Sequence, residues 1–296
     1  MVQQLWGARR LASRYVMPDG VRLPADVYVP RRQAGRAPLV MVHGTLVSRR
    51  DYRSFAPFLA AAWGGEVIVY DRRGRDERLP QPAEFSLATE ANDLDEVTLR
   101  AGAAGVVGHS FGGTVTLVAA GRRPGAWSWV TYDAALNPDG VLAGMWKPEF
   151  REQIDAGHLD AGWALLVNGL GTAGLVSRLP LPALQLAGRA LSDTLPIGRR
   201  MYQALPGSLK EMESILAQPG PFPLPTRGLM LNGGFSPAYF KAATRFVTST
   251  QPGVHRRTAP WLMHNGPMLP LPHLARTMAH WLVEHPAVPT PDILGQ

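Results

Sequence analysis

The sequence predicts an α/β protein built on a mostly parallel central sheet with helices on both faces. Short, nearly continuous apolar runs, such as Leu39-Val40-Met41-Val42 and Val67-Ile68-Val69-Tyr70, alternate with longer stretches whose apolar residues recur at helical spacing. Strands that are apolar on both sides need cover on both faces, as parallel sheets have. An antiparallel hairpin precedes the alternation, and a long helical insertion interrupts it late.

Each element follows from its local pattern. Leu11–Met17 and Val21–Val29 flank the turn tripeptide Pro18-Asp19-Gly20 and predict the hairpin. Leu39–Val42 is a buried strand ending at His43-Gly44. Tyr52–Trp63 is helical, with Phe55, Phe58, Leu59 and Ala62 on one face. Val67–Tyr70 is the next strand, ending at Asp71, and Thr89–Ala103 the next helix, with Leu94, Val97 and Ala101 in register. Gly105–Gly108 is a strand, Gly112–Ala120 its helix, and Trp127–Tyr132 a strand followed at once by Asp133. Residues 136–226 break the rhythm, reading as helical and irregular without a clear strand. Leu229–Leu231, Pro237–Thr248, Val254–Thr258 and Leu271–Glu284 then resume it as strand, helix, strand and helix, and a Pro-rich tail starts at Pro286. One sheet domain, 1–135 with 227–296, carrying an insert at 136–226, is the expected organisation.

Composition narrows the chemistry. The chain has 296 residues, 46% of them hydrophobic, which is ample for a buried core. It has no cysteine, so disulfides, a thiolate nucleophile and Cys-based metal sites are excluded. Thirty basic residues against 23 acidic give a net charge of +7, but 27 of the 30 are arginines scattered along the chain, with seven adjacent Arg-Arg pairs. No run of five or six like charges exists, so no nucleic-acid partner is expected. Met1–Tyr15 lacks the apolar run of a signal peptide. The most apolar stretch, Ala161–Val176, has 16 residues, short of the roughly 20 a spanning helix needs. A soluble, cytoplasmic protein with no membrane partner is the expectation.

The chemistry centres on Gly108-His109-Ser110-Phe111-Gly112, a G-x-S-x-G pattern between a predicted strand and a predicted helix. A sharp strand-to-helix turn exposes the Ser110 hydroxyl at the carboxyl edge of the sheet, above the positive end of the helix. The bland alternative is a glycine-rich turn without catalysis. A serine hydroxyl needs a base. Of eight histidines, His264 alone occupies a loop after the final strand and before the final helix, whereas His109 should point away from Ser110 by alternation. An ordinary loop histidine is the alternative for His264. The third member must be an acid. Between Glu213 and Glu284 there is no Asp or Glu, and among the acids between Ser110 and Glu213 only Asp133 directly ends a predicted strand. Its alternative role is to cap the first turn of the insert. An oxyanion hole needs two N–H donors, expected from Phe111 and from Thr45 or Leu46. The Thr45 hydroxyl offers a third bond or is an ordinary turn residue.

The order of these features, His43-Gly44, then Tyr70-Asp71-Arg72-Arg73-Gly74-Arg75, then Gly108–Gly113, then a late His264, resembles the α/β-hydrolase family over residues 11 to 285. In most of that family the acid follows the strand that here ends at Asn232. With Asp133 one strand earlier, the chain resembles the minority subgroup that includes zearalenone-lactonase-like enzymes. Asp71 matches a family turn that shapes the fold, and Asp76 stands where relatives often have Gly. The resemblance implies that 136–226 is a helical cap (lid). Its Met145, Trp146, Phe150, Trp163, Leu165, Leu166, Leu170 and Leu175 then favour an apolar substrate or form the cap's own core, with Trp146, Phe150, Trp163 and Leu166 the expected substrate contacts. The function implied is a serine esterase or lactonase acting on a small-molecule ester or lactone with a bulky apolar acyl or alcohol part, with no metal and no cofactor. Two other readings remain: a thioesterase or acyltransferase releasing a carrier-bound acyl product, and a ligand-binding protein with an idle triad.

Overall fold

The computed structural model describes residues 3–5, 7–75, 78–143, 147–217 and 227–287. Three antiparallel strands open the fold: β1 (Gln3–Leu5), β2 (Ala8–Val16) and β3 (Arg22–Pro30). The tight turn at Pro18–Gly20 places Val16 opposite Arg22 and Tyr15 opposite Leu23. β4 (Arg36–Val42), α1 (Ala56–Trp63) and β5 (Gly65–Tyr70) begin the parallel part. The helix expected from Tyr52 starts at Ala56, because Arg49–Tyr52 forms a separate 3-10 turn closed by a capping box between Ser48 and Asp51. α2 (Leu87–Ala101), β6 (Gly105–His109), α3 (Phe111–Arg122) and β7 (Ser128–Tyr132) follow. Ser86 caps α2, and Gly102, in the left-handed region, ends it.

Four helices then stand where the rhythm breaks: α4 (Glu149–Asp155), α5 (Leu159–Leu170), α6 (Leu181–Thr194) and α7 (Pro196–Leu216). The chain returns through β8 (Gly228–Gly233), α8 (Ala238–Thr250), β9 (Val254–Ala259) and α9 (Pro272–Glu284). Among the described residues nine strands form one sheet in the order β1-β2-β3-β5-β4-β6-β7-β8-β9. Neighbours are antiparallel up to β3–β5 and parallel from β5 to β9.

Each face of the sheet carries its own apolar layer. Val40, Val42, Ile68, Tyr70 and Val106 pack under α2 and α3, while Leu39, Met41, Val67, Val69 and Val107 pack under α1 and α9. The alternation explains why these strands read as unbroken apolar runs. Met145, Trp146, Asp76 and the tail beyond 287 lie outside the described residues. Among the described residues no helix is long and apolar enough to cross a membrane.

Candidate active site

Three strand ends build the site. β6 ends at His109, and Ser110 follows with φ 55 and ψ −124, a backbone that L-residues seldom adopt. Its amide donates to Tyr132 O at 2.9 Å, extending the ladder to β7 by one rung. The close approach of α3 to β4 demands glycine at position 112, where a Cβ would collide with the carbonyls of Val42 and His43. Gly108 is similarly hemmed in: a Cβ there would come within 2.6 Å of Gly112 O.

β7 ends at Tyr132, and Asp133, again at positive φ (48), donates its amide to Leu231 O at 2.9 Å. Its side chain is fully buried. Oδ1 accepts from Asn232 Nδ2 (3.1 Å) and Gly233 N (3.2 Å), and Oδ2 from Ser236 Oγ (2.5 Å). His264 Nδ1 lies 3.1 Å from Oδ2. The end of β8 therefore supplies donors to the carboxylate rather than a carboxylate of its own.

His264 is held on all sides. Its ring stacks on Phe240 at 4.5 Å and 7°, with the His109 ring 4.8 Å away. Tyr132 OH donates to Met263 O at 2.8 Å, and His109 Nε2 lies 2.8 Å from His264 O. His109 thus departs from the expected orientation: it lines the cavity beside Ser110. The reason is the positive φ of Ser110, which ends the strict strand alternation at this turn. Burial first, and His264 second, hold His109 well below the ordinary histidine range, so it stays neutral. Its partners fix the tautomer: Nε2–H donates to His264 O, Nδ1 accepts from Tyr52 OH at 2.5 Å, and the Tyr52 oxygen accepts from Gly44 N at 3.1 Å.

The loop after β4 supplies the remaining donors. Leu46 is at φ 62. Among the described residues the amides of Thr45 and Leu46 donate no hydrogen bond, and Phe111 N–H heads α3, where no preceding carbonyl is in reach. These three N–H groups are therefore free to meet a bound group. The Thr45 hydroxyl, however, donates to Glu211 Oε2 at 2.8 Å, so it is committed elsewhere and gives no third bond.

A cavity of about 560 Å³ opens over Ser110 and His264. One wall is α5, whose Trp163, Leu166, Val167 and Leu170 share a face by helical spacing. Leu191, Met201, Met212 and Ile215 continue it, and among the described residues no Asp, Glu, Lys or Arg lines the space. Of the expected contacts, Trp163 and Leu166 face the cavity. Phe150 does not: it is buried against Gly162, inside the helical segment. Leu165 is likewise buried without lining the cavity, and Leu175 is exposed. Phe150 and Leu165 instead pack in the apolar core, the alternative left open for each apolar residue of the insert.

Sequence reasoning missed Tyr52, Glu211, Ser236 and Phe240. Glu211 had a readable signal, because it recurs with Ala204, Ser208 and Ile215 along the buried face of α7, where a charge is out of place. The others have none, since their roles arise from contacts across the fold.

Residues 37–161 match a family model described as alpha/beta hydrolase fold. An alpha/beta hydrolase from Sphaerobacter thermophilus aligns with a TM-score of 0.62 at 20% identity, over 91% of this chain and 99% of that one. A thermophilic esterase from Thermogutta terrifontis gives 0.57 at 20% identity, over 93% and 98%. A putative lipase from Acinetobacter baumannii gives 0.59 at 15% identity, over 93% and 91%. With its strand order, its serine at the β6–α3 turn and these likenesses, the chain has the α/β-hydrolase fold.

Proposed function

We propose that the protein is a serine hydrolase that cleaves a carboxylic ester or lactone with a bulky, uncharged, apolar acyl or alcohol part. The observation that carries this is the meeting, at one cavity floor, of Ser110 in its strained turn, His264 bonded to buried Asp133, and the unbonded amides of the 45–46 loop. The minority position of the acid, after β7, supports the lactonase-like subgroup. The wall formed by α5–α7 acts as a cap: it excludes water and selects by shape.

The chemistry runs in two halves. Ser110 Oγ attacks the carbonyl carbon while its proton passes to His264 Nε2, and the carbonyl π electrons move to oxygen. Asp133 stabilises the imidazolium and fixes Nδ1–H toward itself. The N–H groups of Phe111 and of Thr45 or Leu46 bind the oxyanion. The tetrahedral adduct collapses, the C–O bond to the alcohol breaks, and His264 returns its proton to the leaving alkoxide. Water then attacks the acyl-enzyme with the same transfers in reverse, freeing the acid and restoring Ser110. In a lactone the leaving alcohol stays attached, so the cavity must hold the whole opened chain. Its apolar lining suits that.

A fluorophosphonate probe and a panel of chromogenic esters and macrocyclic lactones test the reading. Ser110 should carry the label, and Ser110→Ala should lose both label and turnover. Turnover surviving in Ser110→Ala, or a wild type that neither labels nor hydrolyses any member of the panel, would sink it, the latter favouring a binding role.

A further inference from the structure

Glu211 is a fully buried carboxylate on α7, outside the triad. Its Oε1 meets two buried guanidiniums, Arg72 at 3.0 Å and Arg75 at 2.5 Å, and its Oε2 accepts from Thr45 Oγ1 at 2.8 Å. Those guanidiniums in turn grip the loop after β4. Arg72 Nε donates to His43 O (3.0 Å) and its terminal nitrogen to Gly44 O (3.0 Å), and Arg75 Nε donates to Val47 O (2.9 Å). A terminal nitrogen of Arg75 also reaches Gly44 O (3.4 Å), and His43 Nδ1 adds a third donor at 2.9 Å, because its Nε2 already accepts from Arg72 N.

The peptide plane turns this grip into an aim. In a trans peptide the C=O and the following N–H point in opposite directions. Holding Gly44 O against Arg72 and His43 therefore directs Thr45 N–H the other way, and that amide has no partner among the described residues. Burial pushes the Glu211 carboxyl up, but Arg72 and Arg75 outweigh it and hold it below the ordinary range, so it is ionised at pH 7. Without that negative charge, two adjacent buried cations would lose the carboxylate they share, and Thr45 would lose the partner that orders it.

We propose that Glu211 is a positioning residue that aims the Thr45 amide at the oxyanion, so that transition-state stabilisation depends on the docking of α7 against the core. This rests on the serine-hydrolase reading above. It makes the helical segment part of the catalytic apparatus and not only a substrate filter.

The test compares two ligands of one shape, an apolar trifluoromethyl ketone, which adds to serine and places a negative oxygen in the hole, and the matching methyl ketone, which binds without adding. Glu211→Gln and Thr45→Val should each weaken the trifluoromethyl ketone by about 10- to 100-fold, with matching losses in kcat, while the methyl ketone and KM stay within about threefold. Thr45→Ser, which restores the hydroxyl, should recover part of what Thr45→Val loses. Asp93→Asn, which disrupts a buried ion pair with Arg73 outside the site, controls for a general loss of stability and should leave the ratio of the two affinities unchanged. Equal weakening of both ketones in the variants, or no change in either, overturns the proposal. If Glu211→Gln fails to fold, Thr45→Val decides alone. A wild type that forms no adduct on Ser110 overturns the hydrolase reading and this inference together, whereas adducts equally tight in wild type and both variants overturn this inference only.

Discussion

Glu90 offers a sharp test of the buried charge cluster. It lies on α2 at 1% exposure, with Oε1 2.9 Å from Arg72 and Oε2 without a hydrogen-bond partner. Two effects compete: burial disfavours the carboxylate, and the Arg72 guanidinium favours it. Burial is the larger, and with the nearby Glu211 charge it pushes Glu90 up to about 7 from an ordinary 4.5. The sign follows from proton uptake. Between these two values the unfolded chain has released the proton while the folded chain keeps it, so folding binds a proton and stability falls as pH rises. The contribution is present in full below pH 4.5, lost as pH rises through about 7, and flat above. At about 1.4 kcal/mol per pH unit, that amounts to about 3 kcal/mol. Glu90→Gln keeps the shape and removes the titration. Urea unfolding of both proteins at half-unit steps from pH 4.5 to 8 measures it, because the other titrating groups cancel in the difference. The stability advantage of wild type over Glu90→Gln should shrink by about 3 kcal/mol across that range and then level. An advantage that grows with pH would mean that the Arg72 pair outweighs burial, and one constant within about 0.5 kcal/mol would mean that Glu90 does not titrate there; either refutes the reasoning.

Asp133→Asn should lower kcat by about 10³- to 10⁴-fold on an ester that wild type turns over, because the imidazole loses its acidic partner. Asp139→Asn, at another left-handed position (φ 51) but with no part in the site, should stay within about threefold. Ser236→Ala removes the 2.5 Å hydrogen bond to Asp133 Oδ2; chemical denaturation should show a loss of about 1–2 kcal/mol, with kcat reduced about tenfold. Gly112→Ala drives a methyl into the Val42 and His43 carbonyls and should cost about 3 kcal/mol by the same measurement. Leu166→Trp fills the cavity wall: KM should rise at least about tenfold for a long-chain ester and change little for an acetate.

The sheet was legible because its strands are doubly buried, and burial on both faces writes itself as unbroken apolar runs. Ser110 was legible for a local reason, a strand-to-helix turn that tolerates only small neighbours. Asp133 and His264 were reached by elimination and by topology, and the structure brings the two side chains to hydrogen-bonding distance. The acid-free stretch after Glu213 corresponds to Asn232, Gly233 and Ser236 serving as donors to a carboxylate one strand away. His109 was misplaced because strand alternation ceases at a residue of positive φ. The short β1 and the delayed start of α1 escaped notice, since three residues carry no period and a 3-10 turn imitates the first turn of a helix. The Thr45–Glu211 contact spans 166 residues of chain, and no local pattern encodes such a pairing.

The amides of Ser110 and Asp133 are the last rungs of the ladder on successive strands. The spacing of Ser110 and Asp133 is therefore metered by the sheet itself, at about 4.8 Å per strand, and is indifferent to what the chain does next. The helical excursion leaves after β7 and returns at β8, two strands already paired through Val130–Tyr132 and Leu229–Leu231. Both of its ends are thus anchored side by side, and its length is free to vary at little entropic cost. A different set of helices grafted between those anchors would redraw the pocket without moving Ser110, Asp133 or His264. By the same logic, the graft would have to bring its own carboxylate to the place that Glu211 occupies.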